Sequence, residues 1–75
     1  MLIQTEVGRA EVVADRLAEL PGVQTAEYVT GPYDVVVRVG ADNLDDLRSG
    51  VVPSVQRVEG ITRTLTCPIA DGAHP

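Results

Sequence analysis

The 75-residue sequence predicts an α+β fold with the element order βαββαβ, and three observations carry that prediction. Apolar residues switch between a period of two and a period near 3.6 along the chain, which marks strands and helices in turn. Two helix-to-strand junctions of the same form, Leu20-Pro21-Gly22-Val23 and Val58-Glu59-Gly60-Ile61, lie 38 residues apart and divide the chain into similar halves. Between two β-rich runs, Gly31-Pro32 supplies the chemistry of a turn.

Residues 2–7 read as the first strand, with Ile3, Thr5 and Val7 alternating against Gln4 and Glu6. From about residue 8, Ala10, Val13, Ala14, Leu17 and Leu20 recur at three-to-four spacing opposite Arg9, Glu11, Asp15, Arg16 and Glu19, the pattern of an amphipathic helix. Pro21 cannot continue that helix, and Gly22 accepts the left-handed conformation just past its end. Residues 23–30 and 33–39 are the second and third strands, and a link of two or three residues predicts that they pair as an antiparallel hairpin. Tyr33, Val35, Val37 and Val39 share one face of the third strand, while Val36 interrupts the polar face, so both faces are expected to be partly buried.

Asp42 is the expected N-cap of a second helix, with Asp45 and Asp46 in the first turn where the helix dipole favours negative charge. Leu44, Leu47, Val51, Val55 and Val58 keep its period, and Gly50 and Pro53 predict a kink or split near its middle. Residues 61–67 form the fourth strand, with Thr62, Thr64 and Thr66 on one side and Ile61, Arg63, Leu65 and Cys67 on the other. The domain is expected to span residues 1–69, with 70–75 a flexible tail. With right-handed crossovers this order is the ferredoxin-like split βαβ, a four-stranded antiparallel sheet with both helices on one face. The other face, carrying Val36 and few charges, is predicted to be covered by a second copy, giving a dimeric α/β barrel.

Composition narrows the function classes. A chain this short buries only about 60% of its unfolded surface and needs support beyond its own core. One cysteine and one histidine exclude an internal disulfide and a Cys/His zinc site, which leaves self-association. Six arginines, no lysine and eleven acidic residues give a net charge of −5, and the arginines are dispersed. Two tyrosines offer no base-stacking platform, so direct nucleic-acid binding is not expected. No signal-peptide pattern and no 18-residue apolar run occur, so the expectation is a cytoplasmic protein without a membrane partner.

The titratable inventory disfavours catalysis, and neither a metal nor a cofactor is called for. His74 reads as a solvated tail residue and Cys67 as a small buried hydrophobe with no histidine to activate it. Asp45 and Asp46 are adjacent and cannot face each other on a helix. The informative stretch is Thr30-Gly31-Pro32-Tyr33-Asp34. Its plain reading is a hairpin turn, but backbone amides at a glycine turn can hold a carboxylate and Asp34 an ammonium, which together describe a site for a free α-amino acid. Tyr33 could wall such a site, and the hydroxyls of Thr62, Thr64 and Thr66 are either a second ligand surface or ordinary solvent-facing β-branched residues.

Gly31-Pro32-Tyr33-Asp34-Val35, an acidic helix start and then residues 58–66 resemble, in order and spacing, the ligand-binding domain of the Lrp/AsnC family, over about residues 1–69. The resemblance implies a βαββαβ unit, the RAM domain, that dimerises through its sheets, assembles into rings and binds amino-acid effectors where dimers meet. It implies ligand-binding roles for Gly31, Tyr33, Asp34, Thr62 and Thr64. Pro32 stands where the family is often polar and removes one backbone donor. The family's full-length regulators carry an N-terminal helix-turn-helix, whereas this sequence opens on its first strand, so a stand-alone amino-acid-sensing and oligomerisation module is expected. Two alternatives are a structural assembly partner of a full-length regulator and a dimeric α/β-barrel enzyme, for which Asp34, Glu27 and Arg38 are the only candidate groups.

Overall fold

β1 (Leu2–Thr5) lies inside a four-stranded sheet of order β2-β3-β1-β4, in which every neighbouring pair is antiparallel. The computed structural model describes residues 1–68. The other elements are α1 (Ala10–Ala18), β2 (Val23–Tyr28), β3 (Val35–Val39), α2 (Leu44–Asp46), a π-helical turn (Leu47–Val51), α3 (Val52–Gln56) and β4 (Ile61–Leu65). Strand order and connectivity are those of the ferredoxin-like fold. The tail expected at 70–75, with His74, lies outside the described residues.

Pairing decides which face each strand buries. Ile3 opposes Val35, and both are fully buried with Val37, Val13, Leu17 and Val55. Because Val13 and Leu17 come from α1 and Val55 from α3, both helical layers cover one face of the sheet. Leu2, Val36 and Leu65 alternate with those core residues on the opposite face, where Val36 keeps 40% and Leu65 45% of its surface exposed. Removing roughly 2 kcal/mol of apolar side chain from water at each core position is what holds the layers together.

Several expected boundaries shift. β1 stops at Thr5 because the register slips opposite β4 between Gln4 and Thr5, and Val7 falls in the following turn with its side chain wholly exposed. β2 ends at Tyr28 and β3 begins at Val35, so the link is six residues rather than two or three, closed by the Val29 amide on the Asp34 carbonyl at 2.8 Å. The N-cap of the second helical run is Asn43 and not Asp42. Asn43 holds an extended backbone, its Oδ1 accepts from the Asp46 amide at 2.8 Å, and its Nδ2 donates to the Asp46 carboxylate at 3.1 Å. The kink expected from Gly50 and Pro53 takes the form of one wide turn in which the Val52 amide reaches back five residues to the Leu47 carbonyl. The pyrrolidine ring of Pro53 would collide with the carbonyl four residues earlier in a regular helix, and a widened turn just before it relieves that clash.

The fourth strand is the main correction. The same register slip breaks its alternation: Ile61 and Thr64 are half-buried, and Arg63 and Leu65 are exposed. The strand ends at Leu65, so Cys67 lies past its end and is exposed rather than a buried hydrophobe. Thr64, opposite Ile3, turns toward the helices and accepts a hydrogen bond from Gln56 Nε2 at 3.3 Å, while Thr62 and Thr66 are exposed. The three threonines therefore do not form one solvent-facing row.

Candidate functional site

The connection between β2 and β3 is anchored by β1. The Asp34 amide donates to the Ile3 carbonyl at 2.8 Å, and one residue pair further along the Asp34 side chain takes over from the ladder, Oδ2 accepting from the Thr5 amide at 2.8 Å. On the same strand, Gln4 Nε2 donates to the Pro32 carbonyl at 2.9 Å. Thus Gln4 and Thr5 hold the two ends of the Pro32–Asp34 segment, and neither role is visible in a sequence without the pairing register. Gly31 sits at φ +148° with open space where a Cβ would stand, Tyr33 is half-buried, and Gly31 and Pro32 are exposed.

The other half of the expected site approaches from β4. Thr5 pairs with Ile61, and the Glu6 amide donates to the Gly60 carbonyl at 2.8 Å, which brings Thr62 to the same end of the sheet as Asp34. One strand, β1, separates their backbones, two strand spacings of about 4.8 Å, while the Asp34 carboxylate reaches over β1 to the Thr5 amide. Thr64 lies one step further from that end and beneath the helices. Gly31, Tyr33 and Asp34 therefore form one cluster and Thr62 stands across β1 from it.

Chemically, the cluster offers acceptors. Asp34 Oδ2 is occupied by Thr5, and Oδ1 takes no hydrogen bond among the described residues, which leaves it able to receive an ammonium. Pro32 has no amide to donate, and its carbonyl is already held by Gln4. Among the described residues no group of three His, Cys, Asp or Glu side chains comes together as a metal site. No helix among them is long and apolar enough to cross a membrane.

Comparison with known proteins agrees with this architecture. The Lrp/AsnC ligand binding domain family matches residues 1–71. The HTH-type transcriptional regulator FL11 of Pyrococcus furiosus is 33% identical over 67 residues, which cover 87% of this chain and 44% of the regulator. A homocitrate synthase of Sulfurisphaera tokodaii is 33% identical over 54 residues, 72% of this chain but 12% of that enzyme. The crystal structure of hypothetical protein PHS023 from Pyrococcus horikoshii superposes with a TM-score of 0.81 at 31% identity, covering 97% of this chain and 89% of that one. The chain spans less than half the length of the curated regulators it matches. With the family matched over nearly its whole length and its strand order reproduced, the chain belongs to the Lrp/AsnC ligand-binding domain family.

Proposed function

We propose that this domain senses a small amino acid, binding it between subunits at the Gly31–Asp34 connection and the start of β4, and that it works as an oligomer. The observation that supports this reading is Asp34 Oδ1, which takes no hydrogen bond among the described residues, beside an open turn at Gly31. Gly31 and Thr62 are exposed at this end of the sheet, so a ligand whose ammonium rests on Asp34 leaves its other groups open to a second subunit. Contacts from a second subunit supply what one subunit lacks. Similarity to the ligand-binding portions of HTH-type regulators also supports co-assembly with a full-length regulator, which mixing with such a regulator and measuring mass by light scattering would test.

A thermal-melt series against individual amino acids tests the sensor reading. Ligand at about 100 times its Kd adds about 2.7 kcal/mol, a rise of several degrees for a domain of this size. Asp34→Asn is the discriminating variant, because it keeps an oxygen for the Thr5 amide while removing the negative charge. Asp34→Ala also strands that amide and costs about 1–2 kcal/mol of stability on its own. The expected outcome is a selective rise in the parent that Asp34→Asn abolishes with its unliganded Tm unchanged. A rise that persists undiminished in Asp34→Asn sinks the site.

A further inference from the structure

The tip of the β2–β3 connection has almost no hydrogen bonding of its own. The Val29 amide on the Asp34 carbonyl closes its base, and the Asp34 amide and carboxylate are spent on Ile3 and Thr5. Between them, Thr30, Gly31, Pro32 and Tyr33 make no backbone–backbone hydrogen bond among the described residues. One bond reaches the tip, from Gln4 Nε2 to the Pro32 carbonyl at 2.9 Å. It comes from a fixed strand, since β1 lies between β3 and β4 and Gln4 itself pairs with Arg63. It acts on a segment that needs fixing, because Gly31 has open space around it at φ +148° and Pro32 has no N–H to enter a ladder.

Peptide geometry says what this bond sets. The Pro32 carbonyl and the Tyr33 N–H belong to one planar trans unit and point to opposite sides of it. Holding the oxygen against Gln4 therefore turns the Tyr33 N–H away from the Gln4 side chain. That N–H donates to no protein group among the described residues. With Pro32 lacking a donor and the Asp34 amide already used, it is the donor next to Asp34 in the chain that remains for an anion.

We propose that Gln4 is a positioning residue of the amino-acid site: through the Pro32 carbonyl it aims the Tyr33 N–H at the effector's carboxylate, while Asp34 Oδ1 takes the ammonium. This role rests on the amino-acid reading of the connection and divides that site into two halves, with the effector's side chain left for the second subunit. Gln4 touches no part of the effector, and it governs the carboxylate half alone.

Gln4→Met keeps the length of the side chain and removes the donor, and two measurements on the 75-residue chain test the role with it. The first needs no ligand. Amide nitrogen relaxation is expected to give Gly31 and Tyr33 order parameters of about 0.85 in the parent and below about 0.6 in Gln4→Met, with the Asp34 amide and the Tm unchanged. A tip already mobile in the parent, or equally rigid in the variant, overturns the proposal and leaves the amino-acid reading standing. The second is calorimetric titration with each of the common L-amino acids and with the carboxamide of the tightest binder. The parent is expected to favour the free acid over its carboxamide by about 10-fold, and Gln4→Met to weaken the acid about 5- to 10-fold while the carboxamide stays within about 2-fold. Equal affinity of parent and variant for the acid overturns the role, and so does a loss shared equally by acid and carboxamide, which a merely structural contact would give. If the parent binds no amino acid, the site reading fails and this role fails with it.

Discussion

Gly22 at φ +87° and Gly60 at φ +98° each carry the chain out of a helix and into a strand, and each lies against a side chain of the other half. A Cβ on Gly22 would meet Val51 Cγ2 at 2.6 Å, and one on Gly60 would meet Val13 Cγ2 at 3.1 Å. Each junction is therefore constrained twice, by a backbone conformation that other residues resist and by a close approach. Gly22→Ala is expected to cost about 2–3 kcal/mol in urea unfolding, and Gly60→Ala less, since its neighbour has only to yield by a few tenths of an ångström. At the same scale, the Met1 amine donates to the Val37 carbonyl, and burial holds its pKa below the ordinary 8.0, with Cys67 acting in the opposite sense. The unfolded chain then binds a proton that the folded chain has released between those two values, so stability rises with pH through that window. The gain is complete above about pH 8 and is lost as pH falls through the folded value. Denaturant midpoints measured from pH 6 to 9 should show it, and acetylation of the amine should remove that part of the slope.

Among the elements, the second helical run departs most from a simple helix. Asn43 starts it with a reciprocal pair of bonds to Asp46, and Asn43→Ala is expected to cost about 1 kcal/mol, read as a lower urea midpoint with an unchanged m-value. Pro53 and Gly50 announced an interruption in the sequence, yet whether the chain would kink, break or widen depended on what the run packs against, here Val55 in the core and Val51 on Gly22. The expected cap, Asp42, falls one residue too early, because the first helical residue is Leu44 and the side chain immediately before it, Asn43, reaches the Asp46 amide. β4 teaches the opposite lesson. Its alternating threonines read as a regular strand, but one slip of register against Gln4 and Thr5 put Thr64 under the helices and left Cys67 exposed beyond the strand.

For the whole molecule, the face opposite the helices carries a stripe of Leu2, Val36 and Leu65 on three adjacent strands, since Leu2 opposes both of the others. We propose that the molecule self-associates by burying this stripe against a second sheet. Val36→Lys, which sets a charge in the middle of the stripe without touching the core, is expected to shift the molecule to a monomer by size exclusion with light scattering. An unchanged dimer would place the interface elsewhere. The sequence by itself determined the βαββαβ order, the helix and strand periods, the matching glycine junctions and the resemblance that names the family, because each rests on residues close together in the chain. Only the tertiary structure decided that Asp34 caps the end of β1, that Gln4 holds Pro32 and that Thr62 stands across a strand from Asp34. Those features join residues separated by up to about thirty positions, and they depend on strand register, which short-range patterns leave open.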